Sequence, residues 1–222
     1  VKICGKIKYF IFFLVSQCLS GFFNTTKVKM KIIAFLGSPR KEGNVDILLR
    51  EVIKGVEDSG FEVQVFDLNS MNIQPCQDCG GCDETGECIV HDDMDRIYEA
   101  IRTADRIILA SPIFFFSLSA QTKIMIDRCQ SFWCEKYVFK KPVPAGEFGR
   151  KGLLLLVGGM KKEVGVQCSE SCASAFFRTI SVPEHITLSF LGINKKGEIL
   201  NHPTAINDAY EAGRKLAAST IL

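Results

Sequence analysis

An open α/β sheet, with parallel strands and helices on both faces, is the fold class predicted by three observations. The stretches 32–36, 107–112 and 152–157 are apolar runs without polar alternation, the pattern of strands buried on both faces. Segments with apolar residues at helical spacing stand between them, so strands and helices alternate along the chain. No repeat or linker interrupts that alternation, and 222 residues with 47% hydrophobic and 23% charged content suit one domain, with at most an appendage.

The appendage is residues 1–29. Lys2, Lys6 and Lys8 precede an apolar run at 9–15, as in a signal peptide, but the run is too short to span a bilayer and no good cleavage pattern follows. The expectation is that translation starts at Met30, that 1–29 is an upstream extension, and that the domain occupies 30–222.

The first strand, 32–36, ends in Gly37-Ser38-Pro39-Arg40-Lys41-Glu42-Gly43-Asn44. Val45, Leu48, Leu49, Val52, Ile53 and Val56 then recur at helical spacing. A helix N-terminus offers unpaired N–H groups and the positive end of a dipole, which suits a phosphate. Ser38 adds a hydroxyl, Arg40 a charge and Asn44 an amide. Taken alone the loop reads equally well as an ordinary βα turn, being neither a Walker A nor a Gly-x-Gly-x-x-Gly sequence.

After a helix stop at Ser59-Gly60, residues 61–68 alternate as a half-buried edge strand should. The loop 69–92 is longer than ordinary connections, and loops of that length are usually functional. A helix opens at Asp92-Asp93-Met94, with Met94, Ile97 and Ile101 inward. The third strand, 105–112, runs into Ile113-Phe114-Phe115-Phe116-Ser117-Leu118-Ser119 and a helix through Lys123, Asp127 and Arg128 towards Trp133. The fourth strand, 151–157, closes in Gly158-Gly159-Met160. A helix near 167–181, a weaker strand at 185–190, a turn at 195–198 and a helix near 203–219 complete the chain.

Ligands of such sheets bind beyond the carboxyl ends of the strands, at the switch in strand order. The loops at that edge are 38–44, 112–119 and 158–162: one suits a phosphate, one is aromatic, and one lets a backbone approach closely through glycines. A flat, phosphorylated, aromatic ligand fits the set. The phenylalanines also read as core residues at a strand end. A net charge of +2 and the lack of a basic stripe with interleaved aromatics speak against nucleic acid.

Ten cysteines are many for this length. Long apolar elements argue against a secreted disulfide scaffold and for a reducing, cytoplasmic setting. Cys76, Cys79, Cys82 and Cys88 lie in the long loop, where Gly80, Gly81 and Gly86 permit tight bends. Four thiolates at that spacing suit one cubane. A four-cysteine zinc site and a set of free redox thiols remain open alternatives. Cys129 and Cys134, near a helix end, and Cys168 and Cys172, four apart on one helix face, read as buried inert thiols. His91 reads as a surface residue, and His185 and His202 carry no assigned role.

These residues together resemble flavodoxin-like NAD(P)H-dependent FMN reductases. The resemblance rests on Gly37-Ser38-Pro39-Arg40 through Gly43-Asn44, on Ser111-Pro112-Ile113-Phe114-Phe115, and on the Lys123/Asp127-Arg128 helix. The cysteine spacing followed by Asp92-Asp93-Met94 is similar to the iron–sulfur flavoprotein branch. The resemblance implies a three-layer fold with strand order 2-1-3-4-5. It implies FMN held by Ser38, Arg40, Gly43, Asn44, Val45, Pro112, Ile113, Phe114, Phe115, Ser117, Gly158 and Gly159, and a [4Fe–4S] cluster on Cys76, Cys79, Cys82 and Cys88. It also implies a flavin-dependent oxidoreductase that exchanges electrons with a ferredoxin-like partner or a small acceptor, with NAD(P)H as a further donor. A homodimer or dimer of dimers, with each cluster near a neighbour's flavin, belongs to the same expectation. Val45 replaces the family's threonine and Phe114 its tyrosine, so two hydroxyls are missing. An FMN or quinone reductase without a cluster, and a non-catalytic module with structural zinc, are the alternatives.

Overall fold

The computed structural model describes residues 29–218, so the expectations for residues 1–28 lie outside the described residues. Among the described residues there are six strands: β1 (Ile32–Leu36), β2 (Val63–Asp67), β3 (Arg106–Phe114), β4 (Ser117–Leu118), β5 (Lys151–Gly158) and β6 (Glu184–Leu191). The α-helices are α1 (Asn44–Glu57), α2 (Gly81–Thr85), α3 (Met94–Thr103), α4 (Ala120–Arg128), α5 (Gln130–Trp133), α6 (Val164–Thr179) and α7 (Ala205–Ala217). A π-helical turn, Cys134–Val138, follows α5, and a 3-10 turn, Glu198–Asn201, precedes α7.

The parallel strands stand in the order β2-β1-β3-β5-β6, the expected order once the two-residue β4 is set aside. Period-2 alternation sorts the apolar side chains of the central strands into two cores. Ile33, Phe35, Ile107, Leu109, Leu154 and Leu156 pack on one face with Ile97, Ile101, Met125, Phe132, Phe176 and Phe177. Ile32, Ala34, Ile108, Ala110, Leu153 and Leu155 pack on the other with Leu48, Leu49, Val52, Ala209 and Leu216. That is why these strands read as unbroken apolar runs. At the edge, β2 buries Phe66 but leaves Val63 half-buried and Val65 exposed, so the apolar face expected from the alternation at Phe61, Val63 and Val65 is the less buried one.

The elements differ from the sequence expectation in three places, and one cysteine differs in its burial. The 69–92 loop holds the one-turn helix α2, flanked by Gly80 and Gly86 at φ 75° and 81°, left-handed values that a side chain would strain. β3 continues past Pro112 to Phe114, because the chain folds back there and pairs Phe114 with Ser117. The expected helix to Trp133 breaks at Cys129 and ends in the π-helical turn. Cys168, expected buried, is exposed. Among the described residues no helix is long and apolar enough to cross a membrane.

Candidate functional site

The first and larger site is a cavity of about 850 Å³ at the carboxyl edge of β1, β3 and β5. Ser38, Arg40, Gly43, Asn44, Val45, Pro112, Ile113, Phe114, Phe115, Gly158 and Gly159 all line it. Ser117 does not; it is taken up in the β4 pairing with Phe114. The neighbourhood of the β1–α1, β3–β4 and β5–α6 connections is therefore a property of the fold.

The β1–α1 loop is held from within. The Arg40 amide donates to Ser38 Oγ at 3.3 Å, and the Gly43 amide donates to Arg40 O at 3.1 Å. Gly43 is the N-cap residue of α1 and supplies no capping side chain. The first-turn amides of α1 thus begin at the cavity wall, as an anion site requires. Asn44 is buried, and its side chain serves the scaffold: Nδ2 donates to Lys195 O at 2.9 Å, and Oδ1 accepts from the Ile199 amide at 3.3 Å. What Asn44 can offer an anion is its backbone N–H, not the side-chain amide proposed from sequence. The exposed Arg40 donates from Nη1 to Asn194 O at 3.3 Å.

The loop is tied to its neighbours by a small hydroxyl network that sequence reasoning missed. Ser119 caps α4, its Oγ donates to Gly37 O at 2.6 Å, and it lies 2.9 Å from Thr122 Oγ1. A Cβ on Gly37 would sit 1.8 Å from Thr122 Oγ1. Only glycine permits that approach, so Gly37 and Ser119-x-x-Thr122 act as one junction between β1 and α4.

The aromatic wall is a two-residue hairpin turn, Phe115-Phe116, with φ 49° and 62°. Such turns normally take Asn-Gly or Asp-Gly, because both central residues are left-handed. Two phenylalanines in that conformation are strained, and strain of this kind clusters at ligand clamps. Phe115 is fully exposed and Phe114 half-exposed, so apolar ring area borders the cavity rather than filling the core. A cavity of this volume with apolar walls and polar groups at one end is the usual form of a cofactor site. Its donor set fits FMN: amides and Arg40 at one end, aromatic and glycine-lined backbone at the other.

The second site is the cysteine loop. Cys76 and Cys79 are exposed, Cys82 and Cys88 half-buried, and all four line a cavity of about 60 Å³. The two cavities share no lining residue. The loop is stapled by Arg128, at the end of α4. Its Nη1 donates to Gln74 O and Asp92 Oδ2 at 2.9 and 2.7 Å, and its Nη2 donates to Val90 O at 2.8 Å. Asp92 also accepts from the amides of Gln74 and Met94. Both side chains of this ion pair are almost fully buried. Burial opposes the charge of Asp92, but the Arg128 bond and the two amides outweigh it and hold the carboxyl below its usual range. The loop's two ends are thereby closed on one buried cation, and its four cysteines border one cavity. Four cysteines bordering one cavity fit a four-thiolate group, although Gln77, Asp78, Asp83, Ile89 and Arg128 line it as well.

Cys134, read from sequence as an inert thiol, lies against this loop. Its Sγ is 3.7 Å from Cys82 Sγ and 3.1 Å from Asp83 Oδ1. Burial and the acidic neighbours push its thiol up to about 12. No local signal marks this contact, because 52 residues separate Cys82 from Cys134.

A 133-residue stretch is 37% identical to an iron–sulfur flavoprotein of Archaeoglobus fulgidus, covering 60% of this chain and 57% of that protein. A 99-residue stretch is 41% identical to an iron–sulfur flavoprotein of Methanocaldococcus jannaschii, covering 45% and 51%. The matches thus span little more than half of those relatives' lengths. An NAD(P)H:quinone oxidoreductase structure from Methanothermobacter marburgensis superposes with a TM-score of 0.63 at 17% identity, over 86% of this chain and 98% of that one, which supports the fold. The family profile described as NADPH-dependent FMN reductase matches residues 30–189. The chain belongs to that family.

Proposed function

We propose that the chain is an FMN-dependent oxidoreductase of the iron–sulfur flavoprotein type. It would exchange electrons between a ferredoxin-like partner and a small acceptor, with NAD(P)H as a further donor. The observation that carries the reading is the 850 Å³ cavity, built at the strand-order switch from three loops and the segment 191–194 at the end of β6, with an uncapped helix start at one end and an aromatic hairpin at the other. Bound FMN would supply redox chemistry that takes two electrons together and releases them singly. The chain's own residues bind and orient: the α1 amides and Arg40 would hold the phosphate, and Phe114, Phe115 and the Gly158-Gly159 backbone would border the ring. No general base is needed among them, because electron transfer asks the protein for position and dielectric rather than proton abstraction.

Cys76, Cys79, Cys82 and Cys88 would hold a [4Fe–4S] cluster, a reading supported by their shared cavity and by the names of the relatives. Because the two cavities share no wall, assembly as a homodimer or dimer of dimers would be the way to bring one chain's cysteine loop beside another's flavin. The second reading, an FMN or quinone reductase without a cluster, is favoured by the family description alone.

Anaerobic purification with a visible spectrum and metal analysis tests both. Broad brown absorption with about four irons per chain is expected. Flavin bands without iron would leave the reductase, and zinc held by the four thiolates would overturn the cluster. Cys79→Ser is expected to abolish the iron absorption while FMN stays bound. Loss of both together would show that the sites are not separate.

A further inference from the structure

The geometry points to a second metal site, formed by Cys82, Asp83 and Cys134, for one thiophilic divalent cation of the zinc class. It is distinct from the four-cysteine set but shares Cys82 with it, so one chain can complete only one of the two at a time. The inference does not rest on the proposed function, since it uses neither the flavin cavity nor a cluster.

The donor atoms of these three residues all lie within 4.8 Å of one another, an arrangement found for no other such group among the described residues. An ion about 2.3 Å from two thiolates at the tetrahedral angle holds the sulfurs about 3.8 Å apart. Cys82 and Cys134 already stand at 3.7 Å. Asp83 Oδ1, 3.1 Å from Cys134 Sγ, would retreat by a few tenths of an ångström on coordination, which its exposed side chain allows. A cubane gives each thiolate its own iron. Two sulfurs in van der Waals contact suit one ion between them instead.

The surroundings are those of a ligand set. Gln130 Nε2 donates to Cys134 Sγ at 3.9 Å, the outer contact expected of a coordinating thiolate. Cys134 opens the π-helical turn, and Glu135 beside it is locked to Arg102 by a bidentate ion pair. Cys82 and Asp83 are adjacent on α2, whose ends are set by Gly80 and Gly86. One donor is therefore fixed in the core and two on a short rigid turn. The fourth tetrahedral position stays open to water or an exogenous ligand, as in sites with three protein ligands. Binding displaces two thiol protons to solvent and changes no oxidation state.

Cobalt(II) is the probe. The variant Cys76→Ala/Cys79→Ala/Cys88→Ala keeps Cys82 alone of the four-cysteine set. Titrated anaerobically as the reduced full chain, it should bind one cobalt with tetrahedral visible bands and the sulfur-to-cobalt charge transfer of two thiolates. Adding Cys134→Ser should weaken binding at least a hundredfold and halve that charge transfer at saturation, while circular dichroism stays unchanged. A folded triple variant that gives no tetrahedral spectrum overturns the site, and so does one whose spectrum survives Cys134→Ser. Should the triple variant not fold, wild type and Cys134→Ser alone decide. Charge transfer and competition against zinc must change between them, and identical titrations overturn the proposal.

Discussion

At the scale of single residues, two side chains at the cavity mouth make separable contributions. Arg40 is exposed, and its long bond to Asn194 O leaves it a weak structural element. If it serves the phosphate, Arg40→Ala should remove one charge-assisted contact of about 1.5–3 kcal/mol and weaken FMN roughly ten- to a hundredfold. Riboflavin, which lacks the phosphate, should bind the variant and the wild type alike. Fluorescence titration of both flavins reads the difference, and equal losses refute the assignment. Phe115 carries the opposite sign. Its ring is fully exposed and its backbone left-handed, so Phe115→Gly should relieve about 1 kcal/mol of backbone strain. Phe115→Ala keeps a Cβ and should relieve little. Urea midpoints of the three proteins order them, and a glycine variant less stable than wild type would mean that the ring is packed.

At the scale of elements, the cysteine loop depends on the staple between the end of α4 and the start of α3. Its carboxyl is depressed, so the ionised form stabilises the fold. That contribution is fully present above the ordinary carboxylate range near 4 and is lost as pH falls through the lower, folded value. Between pH 5 and 8 the staple should be indifferent to pH. Asp92→Asn keeps the shape but leaves Arg128 buried beside a neutral partner, and should cost about 3–5 kcal/mol. Protease cleavage should move into residues 69–92 in that variant at pH 7, and in wild type only below about pH 4. Cleavage spread evenly over the chain in the variant would mean that the ion pair holds the whole molecule rather than this loop. Arg128 was legible in the sequence only as part of a helix, because its partner is 36 residues away and nothing local announces the pair.

At the scale of the whole molecule, burial on both faces made the sheet legible. Leu153, Leu154, Leu155 and Leu156 feed alternate cores and so leave no polar gap in the pattern. The candidate cavity was legible through its loops, since strand ends are recognisable and the fold brings them to one edge. What was hidden is long-range or against local rule: the Phe115-Phe116 hairpin lacks any turn residue, Asn44 turns its amide to residues 195–199, and Cys134 meets Cys82 only in three dimensions. The cavity's walls come from the β1–α1, β3–β4 and β5–α6 connections and from residues 191–194 at the end of β6, which pairing alone does not join. A ligand seated there binds only the assembled state, so FMN should raise the stability of the molecule as a unit. At a hundred times its dissociation constant the gain is about 2.7 kcal/mol, or about 5–11 °C in Tm for a chain of this size. The gain depends only on the ratio of ligand to dissociation constant. Riboflavin at a hundred times its own, larger constant should therefore give the same shift, while equal concentrations of the two flavins should not. Scanning calorimetry of the flavin-free chain with each ligand measures it. A single transition that moves as a whole is expected; a flavin-independent Tm, or a second transition that stays behind, would mean that the cavity does not bind flavin or that its loops do not unfold with the sheet.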